Sequence, residues 1–459
     1  MNRLWQSGVA AAVMNRRRFA SLGVWAACPV RSWAKASDAD LTRLEGDLTP
    51  VGAQRAGNRQ GTLPAWTGGL ASPPPGYQPA RGLLDPFADE RALYTVDGGN
   101  VGSHLDKLAA GEIEMLRRYP TYRLEVYPSH RTAALPAREY AHVAAEARGT
   151  ALAEGGNGVI GLRHSTVPFP LPRSGIEVIW NHLCRWRGGS LQRSSDAFAV
   201  MSNGAFTPAR VEEYVAWAAA MKQPEPNRLV YFLGLLTSPP TLAGLAVLAI
   251  DPIDQTRESR QAWTYNPGQR RVLRAPSLGY DAPANGADGL RTIDDFDGFN
   301  GAPDRYDWQL VGKREMLISY NNFRLTSKKL RHADLVRPLH MNPEHLRYEL
   351  HRVWVVDARL KPGASHIYAR RVFYIDEDTW QIAHVDKYDS RGELWRVQEG
   401  HAVQFYDVPA PWYAAEVGYD LNSRRYLVNG LTNEAPPMQF GVPLEAGFFS
   451  ADSLRRLAR

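Results

Sequence analysis

Apolar and polar positions alternate with a period of two through most of the C-terminal part of the chain. Residues 348–358, 366–376, 380–388 and 393–406 each read as a strand, and turn signals separate them at Lys361-Pro362-Gly363, Asp376-Glu377-Asp378 and Ser390-Arg391-Gly392. This pattern predicts an antiparallel meander. Shorter β-rich segments at 176–186, 194–202, 228–236, 243–250, 260–266 and 270–275 precede it, and 207–222 reads as a strand although Thr207-Pro208 resembles a helix start. A 3.6-residue period appears only before these. A helix is expected at 104–118, where Leu105, Leu108, Ala109 and Leu116 share a face behind a Ser103/Asp106 capping box. A second is expected at 137–153, from Pro136 to Gly155-Gly156, with a stripe of Tyr140, Val143, Ala144, Ala147 and Ala151.

The strands follow one another without regularly interposed helices, which excludes a doubly wound sheet or a βα barrel. The expected fold is α+β: a wide curled antiparallel sheet or incomplete β-barrel with helices packed on one face. The concave side of such a sheet becomes either a core or a cavity. Alternation places Val372, Tyr374 and Asp376 on one face and Arg371, Phe373 and Ile375 on the other. Both faces carry apolar groups, so both need cover.

Composition divides the chain into three expected segments: an export signal at 1–36, a Pro/Gly-rich extended arm at 37–102, and one large β domain at 103–459. The formal net charge of +6 suggests a basic protein, but six of the 54 Lys and Arg lie in 1–36, where there is no acid, and the remaining 48 balance 48 acids. No charge argument for nucleic-acid binding survives. Arg16-Arg17-Arg18-Phe19, the apolar run Leu22–Val30 and Ala34-Lys35-Ala36 follow the order of an export signal cleaved after Ala36, with a twin-arginine-like core. Cys28 is a weaker alternative as a lipid-attachment site. Periplasmic localisation, with peripheral membrane contact open, is the expectation. After cleavage Cys184 alone remains, which leaves no intramolecular disulfide and no Cys-rich metal cage.

Motifs with catalytic precedent fail in their contexts. Gly156-Asn157-Gly158-Val159-Ile160-Gly161 fits G-x-G-x-x-G, but Pro168, Pro170 and Pro172 forbid the helix that would follow, so it reads as a glycine turn. Ala275-Pro276-Ser277-Leu278-Gly279 is a relaxed nucleophile elbow without its helix, and it keeps an esterase-type hydrolase as the alternative. Asp294, Asp295, Asp297, Asn300, Asp304 and Asp307 crowd one loop without Ca²⁺-loop spacing and read as loop-ordering groups. His182, Arg185, His345, Glu349 and His351 read as solvated or capping groups, and no metal, cofactor or catalytic residue is assigned. Aromatic residues are dense in the strand segments. If the concavity is open, Trp180, Trp263, Trp308, Trp354, Phe373 and Trp395 are the candidate ligand-binding residues.

The segments "LTPVGAQRAGNRQGTLPAWTGG" (48–69), "WNHLCRWRGG" (180–189), "YNPGQRRVLRAPSLGYD" (265–281), "DGFNGAPDRYDWQLVGKREMLISYNNFRL" (297–325) and "YDLNSRRYLVNGLTNE" (419–434) resemble the exported bacterial family called domain of unknown function 1329. The resemblance covers nearly all of the chain after the leader. It implies a fold similar to periplasmic lipoprotein carriers, an incomplete antiparallel barrel around a hydrophobic cavity, with residues 370–397 the closest part. It also implies a carrier of lipid or another hydrophobic small molecule in a Gram-negative envelope. The partners it implies are a resistance-nodulation-division exporter or an outer-membrane protein. It carries over no catalytic residue. A scaffold or partner-docking role is the remaining alternative.

Overall fold

In the computed structural model, residues 36–275 and 280–458 are described. The strands are β1 (Tyr94–Val96), β2 (Leu124–Val126), β3 (Ala151–Leu152), β4 (Val159–Ile160), β5 (Ser190–Val200), β6 (Ala209–Trp217), β7 (Val230–Ser238), β8 (Ala246–Asp251) and β9 (Gln261–Asn266). There follow β10 (Arg271–Arg274), β11 (Tyr306–Ser319), β12 (Tyr348–Leu360), β13 (Arg370–Asp376), β14 (Ile382–Tyr388), β15 (Leu394–Phe405), β16 (Ala410–Asp420), β17 (Arg425–Leu431) and β18 (Gln439–Phe440). The helices are α1 (Asp38–Glu45), α2 (Ala110–Arg118), α3 (Ala137–Glu146), α4 (Gly175–Cys184), α5 (His332–Leu335) and α6 (Ala451–Leu457).

Sixteen strands form one sheet: two meanders in chain order, β5 to β10 and β11 to β17, with β1, β2 and β18 added at their margins. They join edge to edge where β17 pairs antiparallel with β5, through Tyr426↔Val200 and Leu427↔Ala199. Apart from one parallel bridge between β12 and β2, the recorded pairings in this sheet are antiparallel. The sheet is not closed: among the described residues β10 pairs only with β9 and β11 only with β12. A wide twisted sheet of this size curls, and here it curls without forming a barrel.

Both faces are covered, as their apolar character requires. On one face α4 lies over β12 to β14, and Trp180, Val356, Phe373, Ile375 and Val385 form a common core. On the other face Val372, Tyr374 and Ala383 pack with Ala109, which leads into α2, and α6 seals Tyr231, Leu233 and Leu248 of β7 and β8 through Leu454. Helices therefore lie on both sides of the sheet. The arm adds cover along the body: Trp66 Nε1 donates to Ala133 O at 2.9 Å, and Tyr77 Oη donates to Asp407 at 2.6 Å. Residues 46–93 hold little regular structure beyond a 3₁₀ turn at Pro79–Arg81, although α1 precedes them where no helix was expected.

Three expectations are corrected. Residues 176–186 were expected to be strand, but α4 occupies them, with Ser174 Oγ accepting the Glu177 N–H as N-cap at 3.4 Å. All ten α4 residues are buried, so there is no polar stripe from which a helical period can be read, and its Ile, Val and Trp content looks like strand. The first expected helix begins at Ala110 rather than 104; two 3₁₀ turns occupy Val101–Lys107, and the cap is the Glu112 carboxylate accepting the Ala109 N–H at 2.8 Å. The second ends at Glu146 rather than 153, because residues 151–160 fold back as the β3–β4 hairpin. The G-x-G-x-x-G glycines belong to this hairpin, with Gly156 and Gly161 at φ +78° and +81°, as the turn reading requires. Strands β11, β16 and β17 and helix α6 were not anticipated.

Candidate functional site

A cavity lies on the α4 side of the sheet, between β6 to β8 and the segment 284–301, and has a volume of about 260 Å³. The register builds its wall. Arg193↔Glu213 pairs β5 with β6, Glu213↔Gly234 and Val215↔Phe232 pair β6 with β7, and Gly234↔Val247 and Phe232↔Ala249 pair β7 with β8. Directly opposed residues share a face, so Val211, Val215, Phe232, Val247 and Ala249 line one apolar surface. Ala249 is small at an inward-facing position, whereas at Gly234 the Phe232 ring already lies 2.8 Å from where a Cβ would stand.

One end of the cavity is charged. The loop carrying Asp297, itself at φ +60°, brings its carboxylate against α4, where it accepts from Arg185 Nη1 at 3.0 Å and Arg187 Nη2 at 2.5 Å. Burial alone would raise the Asp297 pKa, but the two guanidiniums override it and hold the carboxyl well below the usual carboxylate range. Burial and the neighbouring Arg185 push Arg187 down to about 10. Arg193 is ion-paired with Glu213. Aromatic faces cap these cations: Arg187 lies 5.5 Å from the Trp217 centroid, Arg193 5.5 Å from Trp412 and Arg291 5.0 Å from Phe296.

The charge balance at this end is incomplete. Arg291 Nε and Nη1 and Glu416 Oε1 are buried atoms without a hydrogen-bond partner, whereas Glu416 Oε2 accepts from Asn429 Nδ2 at 3.3 Å. Burial and the nearby Asp297 push Glu416 up to about 7. The site is therefore an apolar slot that ends in guanidinium donors with hydrogen-bonding capacity to spare. That arrangement can hold a chain or ring system against β6 to β8 and an anionic or strongly accepting group at the arginine end.

None of the six aromatic residues proposed from sequence lines this cavity. Trp180, Trp308, Trp354 and Phe373 are brought together in the core beneath α4. Within it Trp180 Nε1 donates to Gly156 O at 2.9 Å, and Trp308 Nε1 donates to Pro303 O at 2.8 Å. Trp263 packs on the opposite side with the α6 core, and Trp395 lies apart, its Nε1 donating to Asp420 at 3.0 Å. Aromatic richness marked packing positions; the cavity-facing aromatics are Trp217, Phe232, Phe296, Trp412 and Tyr413. The signal that finds them is parity in β6 to β8 combined with small inward residues.

The Asp-rich loop orders itself on buried cations. Asp294 pairs with Arg371 at 3.0 Å and His366 at 3.0 Å, and Asp295 with Lys387 at 2.7 Å. The groups expected at the surface are buried: His182, Glu349 and His351 are 0% exposed and Arg185 is 2% exposed. His182 accepts the Ile382 N–H through Nδ1 at 3.2 Å, and its Nε2 lies 3.2 Å from Phe299 O, which ties α4 to the sheet. Burial and Arg185 hold its pKa well below the ordinary value, so it is neutral. Ser277, Cys28 and residues 1–35 of the leader lie outside the described residues, as does Arg459. Among the described residues no helix is long and apolar enough to cross a membrane.

The family model described as "Protein of unknown function (DUF1329)" matches residues 95–455. A Pseudomonas aeruginosa relative, Uncharacterized protein PA3922, is 47% identical over 407 residues, spanning 87% of this chain and 89% of its own. The chain belongs to the DUF1329 family. Among solved structures, a DUF1329 family protein from Desulfovibrio piger is similar at TM-score 0.40 and 14% identity, over 58% of this chain and 92% of its own. A putative outer membrane lipoprotein-sorting protein domain from Vibrio parahaemolyticus is similar at TM-score 0.43 and 15% identity, over 61% and 98%. A LolA superfamily protein from Nitrosomonas europaea is similar at TM-score 0.37 and 12% identity, over 61% and 100%. These three likenesses add nothing to what the family match establishes, and the functional reading of this DUF1329 chain rests on its own cavity.

Proposed function

We propose that this DUF1329 protein is a periplasmic binding or carrier protein for a lipid-like amphiphile. The apolar part of the ligand lies against Val211, Val215, Phe232, Val247 and Ala249, and its polar head faces Arg291 and Arg193. The observation that carries the reading is the cavity itself, an apolar slot of about 260 Å³ with a cationic end. That volume is just under the roughly 300–1,000 Å³ of small-molecule sites, so it suits one chain or a compact ring system rather than a multiply acylated lipid. Delivery to or from an envelope exporter of the resistance-nodulation-division type, or an outer-membrane protein, completes the proposed role. Export with cleavage after Ala36 is part of it, and the intact mass of protein taken from the periplasm tests that step.

Native mass spectrometry and lipid extraction of gently purified protein, alongside titration with a fluorescent fatty-acid probe, test the carrier reading. Saturable binding with one site per chain, weakened when Ala249→Phe fills the slot, is the expected result. Absence of any co-purified lipid together with no saturable probe binding overturns it and leaves the scaffold role. Ester turnover by the purified protein, lost in Ser277→Ala, overturns it in favour of the hydrolase.

A further inference from the structure

On the sheet face opposite the cavity, three ionisable side chains meet without cationic neutralisation. Glu112 comes from the first turn of α2, and His384 of β14 stands directly opposite Glu399 of β15 in the register. A ligand atom of each lies within 4.8 Å of the other two, and the residues are 2%, 3% and 2% exposed. Several buried carboxylates elsewhere in the fold are met by Arg or Lys, as Asp294 is by Arg371, Asp295 by Lys387, Asp378 by Arg131 and Glu349 by Arg347. Among the described residues neither Glu112, Glu399 nor the adjacent Asp386 has an Arg or Lys ion-pair partner; His384 is the ion-pair partner of Asp386. Burying two or three carboxylates around one imidazole is costly unless further positive charge arrives.

The hydrogen bonds are arranged as an outer shell with its centre open. His384 Nε2 is 2.8 Å from Asp386 Oδ1, while Asp386 also accepts from the Gly111 N–H at 2.8 Å and Tyr374 Oη at 3.1 Å. With Asp386 on its Nε2 side, the His384 Nδ1 is directed elsewhere. Glu399 Oε1 accepts from Tyr348 Oη at 2.9 Å and Tyr122 Oη at 3.3 Å. His384 Nδ1, Glu399 Oε2 and Tyr419 Oη are left buried with no partner. A carboxylate that orients a histidine whose other nitrogen is free, beside a second carboxylate held on one oxygen only, is the outer-shell pattern of metal-ligating side chains.

We propose that Glu112, His384 and Glu399 form a buried site for a divalent first-row transition ion of the zinc class, ligated through His384 Nδ1 and one oxygen from each glutamate. One imidazole with two carboxylates and no sulfur suits zinc or manganese, and the imidazole disfavours calcium and magnesium. The role is structural: the ion ties α2, near the start of the folded body, to the β14–β15 hairpin more than 270 positions later. The neighbouring cluster of His351, Asp376 and Asp378 is a poorer candidate because Arg131 already occupies both oxygens of Asp378.

The test is metal content of the full mature chain after gel filtration, by inductively coupled plasma mass spectrometry, followed by Zn²⁺ and Mn²⁺ titration of chelator-treated protein. The expected result is one retained equivalent, a lower Tm after chelation and its recovery on adding Zn²⁺. His384→Gln and Glu112→Gln, each checked for wild-type circular dichroism, are expected to lose the retained ion. If neither variant folds, anomalous diffraction at the zinc edge on wild-type crystals decides, with a peak bonded to His384 Nδ1 as the expected result. Folded, metal-free wild type with no saturable Zn²⁺ or Mn²⁺ binding, or an ion bound at other residues, overturns the proposal.

Discussion

Replacing Trp180 by alanine separates a core role from a ligand-lining role for the strand-region aromatics. Trp180 is 0% exposed, projects from α4 into the core with Phe373 and Ile375, and donates through Nε1 to Gly156 O at 2.9 Å. Truncating a fully buried Trp costs about 3–5 kcal/mol. Leaving the buried Gly156 carbonyl without this donor adds about 1–3 kcal/mol, so Trp180→Ala is expected to lose roughly 4–8 kcal/mol. Trp180→Phe keeps most of the apolar volume and is expected to lose about 1–3 kcal/mol, mainly for the donor. Urea unfolding followed by far-ultraviolet circular dichroism reads both as midpoint shifts. The fraction that remains folded is expected to bind a fluorescent fatty-acid probe within twofold of wild type, whereas Phe232→Ala, on the cavity wall, is expected to weaken the probe more than it weakens the fold. A loss below about 1.5 kcal/mol for Trp180→Ala, or unchanged stability with abolished probe binding, would refute this reasoning.

Asp297→Asn removes the carboxylate shared by Arg185 and Arg187, and leaving two buried guanidiniums without it is expected to cost about 3–5 kcal/mol by urea denaturation. Because the folded Asp297 pKa is depressed, its stabilisation is complete above the ordinary carboxylate range and is expected to fade as pH falls below about 4, a slope that acid titration shows in wild type and not in the variant. Arg291→Gln is expected to weaken binding of an alkyl sulfonate about tenfold while changing a neutral alcohol of equal chain length less than twofold, by calorimetric titration. Glu416, raised to about 7, takes up a proton as pH falls from 8 to 6, so the same sulfonate is expected to bind about fivefold more tightly at pH 6, close to 1 kcal/mol for one charge removed in a partly screened site. Gly175→Ala would place a Cβ 2.8 Å from Trp308 O, a backbone atom that cannot move aside, and is expected to lower Tm by displacing the start of α4 from β11.

The alternation of residues 348–406 by itself determined a meander, because residues with one polar and one apolar neighbour can satisfy a pleated surface only in that register. The same reading reached the family through the quoted segments and recognised that both sheet faces need cover. Helix α4 escaped it: a helix buried on every side has no polar stripe, and Ile176, Val178, Ile179 and Trp180 carry the composition of a strand. The cavity escaped it for a different reason. Its wall depends on β17 pairing with β5, a contact between positions more than 220 residues apart, which brings Glu416 and Arg193 to one end of a slot that local sequence leaves far apart. The cluster of Glu112, His384 and Glu399 is likewise assembled from three distant elements, and none of the three has a metal-ligand spacing to its sequence neighbours. Period and turn chemistry act over a few residues and are written locally; which buried charge meets which partner is decided only when the sheet closes distant edges together.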